Sequence, residues 1–358
     1  MNRNLLVVNI NNLYNNIITI KKKTSKNIMV VLKSNAYNMG SRFILKYLKK
    51  LGIDFFVFNK YFEYLECRDL LVNSKVLILE EVPVKYLKNL DDNVRVSVNS
   101  VKYIYQVLNN NNELKIHIQV DTGMNRDGIK SIEELKEILS IVKDKIELEG
   151  IYTHFISNKD EMYLYKKQQE KFNKFLGFYD FPIIHTAATS SLVKEIMGNY
   201  VRVGMGIYGH HTNLDLKQVI NVYVPIINIR ENLKGDSVGY EAKYISCKDE
   251  KIAVLPVGYY EGFNEKCVYK GRKELPVIGR ICMNHTFVLV SDTIKNSSWL
   301  NIFPKNDKIN KEVNYYKILT SYNNFRRIYI MEYQNDIRKI FKETNKKSFK
   351  LKQRTRSY

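Results

Sequence analysis

The sequence predicts an α/β fold in which an N-terminal (β/α)8 TIM-like barrel is followed by a C-terminal, mainly-β domain. Three observations support this prediction. Apolar runs alternate with segments of helical periodicity over the first 214 residues, as parallel strands joined by helices do. There are eight such runs, the number that closes a barrel. Beyond residue 214 the helical segments stop, and short strand-like runs alternate with Gly, Asp and Asn turns.

Each predicted element is a short apolar run or a segment of period 3.6. The predicted barrel strands are residues 27–32, 54–58, 75–79, 94–98, 114–120, 146–152, 181–185 and 201–208. Helical spacing is clearest at 41–51, 132–142 and 161–178. In the second part, strands are predicted at 218–229, 253–257, 275–277 and 286–290. We therefore predict a barrel domain at 1–214, a β domain at 215–341, and a basic, disordered tail at 342–358.

Composition narrows the class of protein. The net charge of +20 is spread along the chain together with many Asn and Ile residues, which indicates compositional bias more than a nucleic-acid groove. No apolar stretch reaches the roughly 18 to 20 residues of a membrane span, and the N-terminus lacks the layout of a signal peptide. The four cysteines show neither CxxC spacing nor a paired framework: Cys67, Cys247, Cys267 and Cys282. We expect reduced thiols, a cytoplasmic protein and no metal site.

Lys33 is the most informative residue of the chain. It lies where the buried run 27–32 opens into a polar turn that contains Asn and Gly. Burial disfavours the charged form of an amine and leaves a nucleophile that can form a Schiff base. A solvated lysine at a strand end is the alternative from position alone, because 57 of the residues are Lys or Arg.

Other polar groups follow the predicted strands in the same way. The run 121–128 (DTGMNRDG) follows the fifth strand, His154 the sixth and the run 185–190 (HTAATS) the seventh, whereas Arg202 lies in the eighth. Catalytic groups of such barrels cluster at the C-terminal ends of the strands. The barrel prediction therefore places all of these groups at one face.

The run 30–40 (VVLKSNAYNMG) closely resembles the cofactor-lysine signature of the alanine racemase family, whose members use pyridoxal 5′-phosphate on a barrel scaffold. The runs 121–128, 152–155 (YTHF), 185–190 and 201–209 (VRVGMGIYG) resemble further blocks of that family in the same order. The resemblance implies the following cofactor contacts: Lys33 as the Schiff-base lysine, Tyr37, Arg126 at the phenolic oxygen and the substrate, His154 against the ring, Thr189 at the phosphate, Arg202 at the pyridine nitrogen, and the backbone of Gly204 and Met205 at the phosphate.

The second domain carries matching blocks as well. The run 237–244 (SVGYEAKY) resembles the segment with the second catalytic base, which would be Tyr240. Because the pKa of tyrosine is near 10, a hydrogen-bonded partner such as His154 is implied. The run 277–284 resembles a block that meets the partner subunit's site, with Met283 near the substrate carboxylate. Tyr329 is the candidate for a phosphate-binding tyrosine.

The chain departs from the family pattern at a few positions. Gln119 stands where many members have a lysine that becomes carbamylated; its amide oxygen could instead accept a bond from Arg126. Ala188 and Asn284 replace an asparagine and an aspartate, and Glu241 replaces a common glycine. None of these changes removes a predicted base.

The resemblance implies a homodimeric alanine racemase that works by a two-base mechanism on a pyridoxal phosphate aldimine. Lys33 and Tyr240, the latter from the partner subunit, would stand on opposite faces of the substrate. Alternatives are a racemase of serine or another amino acid, a fold-related decarboxylase, and a non-catalytic pyridoxal phosphate carrier. The expected partners are an amino-acid substrate and a second subunit, without membrane or nucleic acid.

Overall fold

The computed structural model describes residues 4–110, 113–156, 162–192, 196–210, 214–303, 321–322 and 325–331. The chain divides into two compact units. One comprises Asn16–Asp215, and the other comprises Met1–Asn15 together with Leu216–Tyr358. The first strand, β1 (Leu5–Asn9), belongs to the second of these units.

The unit Asn16–Asp215 contains a closed barrel of eight parallel strands, which confirms the predicted fold class. Each strand pairs in parallel with the next, and the last pairs with the first. The strands are β2 (Asn27–Val31), β3 (Phe55–Phe58), β4 (Lys75–Ile78), β5 (Val94–Val98), β6 (Lys115–Val120), β7 (Glu147–Thr153), β8 (Ile183–Ala187) and β9 (Tyr200–Val203). The predicted eighth run, 201–208, is a strand only in its first part, because a 3-10 helix occupies Met205–Tyr208.

Helices connect most of these strands. They are α1 (Ile10–Thr24), α2 (Lys33–Tyr37), α3 (Ser41–Lys50), α4 (Tyr61–Leu65), α5 (Val84–Leu87), α6 (Val101–Asn110), α7 (Ile132–Val142) and α8 (Met162–Leu176). Helix α7 matches its predicted bounds because its start is encoded locally. Ser131 accepts a hydrogen bond from the Glu134 N–H, and the Glu134 carboxylate accepts one from the Ser131 N–H. Its buried face consists of Leu135, Ile138, Ile141 and Val142.

The second unit is built on a nine-stranded sheet. Its strands, in chain order after β1, are β10 (Ile220–Pro225), β11 (Asn228–Asn232), β14 (Glu250–Leu255), β15 (Cys267–Lys270), β16 (Lys273–Ile278), β17 (Thr286–Val290), β18 (Trp299–Asn301) and β19 (Arg326–Ile330). The strands β12 (Ser237–Val238) and β13 (Tyr244–Ile245) form a separate two-stranded ribbon. The predicted strand 218–229 is thus two strands. The break follows Pro225, where the chain leaves β18 and the Ile227 N–H donates to Val254 instead.

The N-terminal segment differs from its predicted place in the barrel domain 1–214. Strand β1 lies between β10, with which it is antiparallel, and β19, with which it is parallel. All five of its residues are buried. Because both faces of this strand are buried, it shows no alternation of polar residues from which its partners could be inferred. The division near residue 215 lies within one residue of the predicted boundary, and the predicted tail 342–358 lies outside the described residues.

Within the described ranges, no helix is both long and apolar enough to cross a membrane. No group of three or more His, Cys, Asp or Glu side chains is arranged there to hold a metal ion.

Candidate active site

Lys33 begins the turn that follows β2, at the C-terminal end of the barrel. Its side chain is half-buried, and burial lowers the pKa of its amine from the usual value. The nearby Arg126 and Arg202 cations lower this pKa further, against the opposing influence of Glu63. A larger share of the amine is therefore neutral near neutral pH, which is the form that attacks a carbonyl carbon.

The backbone after Lys33 turns in the left-handed sense. Residues 34–37 have φ between 53° and 55°, although none of them is glycine. Such a conformation costs about 1–2 kcal/mol per residue. Hydrogen bonds to side chains help to hold it: the Ser34 N–H donates to Glu63 Oε1 at 2.6 Å, and the Ser41 N–H donates to Asn35 Oδ1 at 2.8 Å. Backbone strain of this kind concentrates at functional sites, which agrees with a special role for Lys33.

Tyr37, Thr189 and Gly204 come together next to this turn. The hydroxyl oxygen of Thr189 accepts hydrogen bonds from the Gly204 N–H at 3.3 Å and the Gly206 N–H at 3.2 Å. Gly204 also lies so close to Tyr37 that a Cβ atom there would overlap the tyrosine hydroxyl. Met205 begins the 3-10 helix that follows. Backbone N–H groups and hydroxyls gathered in this way can bind an oxyanion such as phosphate, and we refer to Tyr37, Thr189 and Gly204 together as the cradle.

Arg202 is held rigidly inside the barrel and is only 4% exposed. One terminal nitrogen, Nη1, donates to Nδ1 and to the carbonyl oxygen of His185, both at 2.5 Å. The other, Nη2, donates to the Thr153 carbonyl oxygen at 2.7 Å. Burial lowers the pKa of Arg202 to about 10, so the guanidinium remains cationic at neutral pH.

His154 is a neutral imidazole among cations. Its Nδ1 lies 3.4 Å from Nη2 of Arg202. Because arginine can only donate, Nδ1 is the acceptor and the proton of the neutral ring is on Nε2. Burial, then Arg202, Arg126 and Lys33, lower its pKa to about 3. The mouth of the barrel therefore carries Lys33 and two arginine cations, Arg126 and Arg202, beside an uncharged histidine, and the two arginines attract anionic ligands.

The loop after β6 presents Arg126 at this mouth. Asp121 Oδ1 accepts hydrogen bonds from the N–H groups of Gly123 at 2.9 Å and Asn125 at 3.0 Å, which folds the loop on itself. At Gly128, φ is 115° and a Cβ atom would lie 2.8 Å from the Asp121 nitrogen, so the turn requires glycine. The Arg126 side chain is exposed at the tip of this loop.

Gln119 does not bond Arg126, so that possibility suggested by the sequence is wrong. Its amide oxygen accepts a hydrogen bond from the Tyr152 hydroxyl at 2.7 Å, and its amide nitrogen donates to the Asp127 carbonyl oxygen at 3.0 Å. Gln119 points into the barrel from β6, where Tyr152 of β7 is its neighbour. It therefore anchors the base of the loop that carries Arg126 by bonding the backbone at Asp127.

The β unit presents Tyr240 and Met283 on adjacent loops. Tyr240 follows Gly239, whose φ is 71°, and its side chain is 67% exposed. The next residue, Glu241, forms an ion pair with Arg280, which joins this turn to the loop that carries Met283. Met283 is 53% exposed.

Tyr329 lies elsewhere in the same unit. It is a half-buried residue of β19 and pairs with Val8 of β1. Tyr240 and Met283 thus lie between strands, whereas Tyr329 lies within a strand.

The predicted site residues did not include a group of buried, charged or ionisable side chains inside the barrel. They are Arg95 on β5, His117 on β6 and Glu149 on β7, and each is at most 7% exposed. The signal was present in the sequence as polar residues at alternate positions of otherwise apolar strands, such as Arg95 and Ser97. Nothing in one strand shows that its polar positions meet those of its neighbours.

Comparison with known proteins gives one consistent result. The family models described as "Alanine racemase, N-terminal domain" and "Alanine racemase, C-terminal domain" match residues 8–212 and 219–329. A curated alanine racemase of Staphylococcus carnosus is 31% identical over 317 residues, covering 82% of this chain and 81% of the relative. One of Borreliella burgdorferi is 28% identical and covers 81% and 85%. Among solved structures, alanine racemase from Bartonella henselae with covalently bound pyridoxal phosphate has a TM-score of 0.82 at 23% identity, covering 91% and 99%.

Proposed function

We propose that this chain, which belongs to the alanine racemase family, interconverts L-alanine and D-alanine with pyridoxal 5′-phosphate as its cofactor. The observation that carries the proposal is the pairing of a half-buried lysine with an anion cradle. Lys33, whose pKa is lowered, lies in the same turn as Tyr37, which packs on Gly204 of the cradle. An aldehyde that carries a phosphate group can engage both features at once.

The donor set at the barrel mouth fits this cofactor, because each polar part of pyridoxal phosphate finds a complementary group. The groups that would hold it are the Lys33 amine at the aldehyde carbon, Tyr37, Thr189 and the N–H groups of Gly204 and Met205 at the phosphate, Arg202 at the ring nitrogen, His154 against the ring, and Arg126 at the phenolic oxygen. Tyr329 is a further proposed phosphate ligand from the β unit.

Bound pyridoxal phosphate supplies an electron sink that makes the Cα–H bond of an attached amino acid acidic. Lys33 then removes or returns the proton on one face of Cα. Arg202 remains cationic and would donate a hydrogen bond to the ring nitrogen, which disfavours protonation there and favours return of the proton to Cα. His154 would donate its Nε2 proton toward the second base and stabilise that base in its anionic form.

We propose Tyr240 of a second subunit as the base on the opposite face, with Met283 of the same subunit near the substrate carboxylate. Both side chains are more than half exposed, at 67% and 53%, as expected of residues that act across an interface. The chain would then function as a homodimer, and a cytoplasmic location stays a prediction.

The test is incubation of the purified chain and pyridoxal phosphate with L-alanine in D2O. We expect optical activity to be lost while deuterium enters Cα. Exchange with retained chirality would show that Lys33 works without a competent second base. If neither signal appears with L-alanine although the cofactor is bound, parallel reactions with L-serine and larger amino acids distinguish a different racemase from a non-catalytic carrier.

The cradle can be tested at Gly204. In the variant Gly204→Ala, the new methyl group would overlap Tyr37, so the cradle must widen. We expect the affinity for pyridoxal phosphate to fall about tenfold or more, which corresponds to at least ~1.4 kcal/mol. Titration of the cofactor's absorption band measures the affinity. The variant Gly177→Ala is the matched control, because no atom lies within 4 Å of a Cβ there. Equal affinities of the two variants would contradict the assignment.

A further inference from the structure

Five buried side chains form a continuous hydrogen-bonded chain inside the barrel. Arg95 donates to Glu149 through two nitrogens, with distances of 2.8 and 2.9 Å. His117 Nε2 lies 2.9 Å from Glu149 Oε2, and its Nδ1 lies 2.9 Å from His185 Nε2. The chain ends at Arg202, which donates to His185 Nδ1. None of the five residues is more than 7% exposed.

A bulge in the strand pairing places the side chains of this hydrogen-bonded chain next to one another. Pairing between β6 and β7 shifts register, so that Ile116 faces Leu148, His117 faces Gly150, and Glu149 has no partner in β6. Such a bulge redirects a side chain. Gly150 is also required, because a Cβ atom there would lie 2.7 Å from His117 Nδ1.

The donors and acceptors along the chain permit one assignment of protons. Glu149 is ionised, because hydrogen bonds from His117 and Arg95 outweigh its burial and hold its pKa well below the usual range. An ionised carboxylate only accepts, so His117 carries its proton on Nε2 and leaves Nδ1 as an acceptor. His185 must then donate from Nε2. Its Nδ1 is left to accept from Arg202, which can only donate.

Charge leads to the same assignment. Burial lowers the pKa of both His117 and His185, so both rings are neutral. A proton added to either ring would place a new buried cation next to an arginine and would remove an acceptor that the chain needs.

We propose that Glu149 is a positioning residue that sets the tautomers of His117 and His185 and thereby orients Arg202 toward the cofactor's ring nitrogen. The functional part of this inference rests on the proposed function, because only a bound pyridine ring gives the orientation of Arg202 a consequence. The tautomers themselves are a property of the chain without cofactor. The simpler alternative is that Arg95 and Glu149 form a buried ion pair that only stabilises the barrel.

The experiment is nitrogen-15 NMR of the histidine rings in the full chain without cofactor. We expect His117 and His185 of the unmodified chain to be neutral with the proton on Nε2. A proton on Nδ1 of either ring would overturn the proposal. Because no turnover is involved, this result does not depend on whether the chain racemises alanine.

The variant Glu149→Gln tests the role of the carboxylate, because an amide can donate as well as accept. We expect His117 to lose its single tautomer. In the enzyme loaded with cofactor, we expect kcat to fall about tenfold, with KM for alanine unchanged because Glu149 is not among the residues proposed to contact the substrate.

Glu147→Gln is the matched control. Glu147 lies on the same strand, but its carboxylate is exposed and pairs with Lys115 at 2.8 Å. Unchanged tautomers in Glu149→Gln would overturn the proposal. If that variant does not fold, a proton on Nδ1 of either ring in the unmodified chain would still overturn the proposal.

Discussion

In the variant Lys33→Ala, the rate of racemisation is expected to fall below the detection limit, a decrease of about a thousandfold or more. Two functions disappear together: the amine that attaches the cofactor and the base on one face of Cα. Racemisation of L-alanine measures the second function, and the absorption band of the cofactor–lysine imine measures the first.

Lys130→Ala is a suitable control, since it also removes a positive charge near the loop of Arg126. Lys130 is largely exposed and lies 3.7 Å from Asp121, so we expect nearly normal activity. An imine band together with full turnover in Lys33→Ala would refute the assignment of Lys33.

The pH dependence of cofactor attachment gives a second readout for Lys33. Because burial lowers the pKa of its amine from 10.5, the reactive neutral form accumulates at lower pH than for an exposed lysine. The attachment rate should rise with pH, and the midpoint of the rise should lie below pH 10.5.

The variant Tyr240→Phe is expected to lower racemisation by about 10²- to 10⁴-fold, the usual contribution of a general acid–base group. Proton exchange at Cα by Lys33 should continue on its own face. The measurement is deuterium incorporation against loss of optical activity, and we expect the first without the second. Tyr240 is 67% exposed, so folding should be unaffected. Tyr259→Phe, which changes another exposed tyrosine of the same unit, serves as the control.

Mixing the two inactive variants tests whether the site is shared between subunits. If Tyr240 acts on the partner's Lys33, each mixed dimer of Lys33→Ala and Tyr240→Phe contains one intact site. Equal mixing and reassociation should then restore about a quarter of the normal activity, since half of the dimers are mixed. No recovery, despite mixed dimers, would place both bases in one chain.

Much of the barrel could be predicted because its signals are local. Helix α7 begins at a Ser–Glu capping box and buries one face, so its bounds agree with those predicted. Lys33 could be singled out because a buried strand ends in front of it and the run 30–40 around it resembles the cofactor-lysine signature of the family. Hydrogen bonds between residues distant in the chain have no such local signal. Gln119, for example, bonds Tyr152, which is 33 positions further along the chain, and does not bond Arg126.

The sequence by itself therefore indicated the eight barrel strands and the turn at Lys33, because each depends on residues close together in the chain. Only the tertiary structure decided that β1 joins the β sheet and that Arg95, Glu149, His117, His185 and Arg202 form one hydrogen-bonded chain. One physical reason explains both results. Strand pairing and the positions of buried protons depend on which residues, distant in the chain, face each other. A bulge of one residue in β7 changes which residues face each other without altering the local sequence pattern.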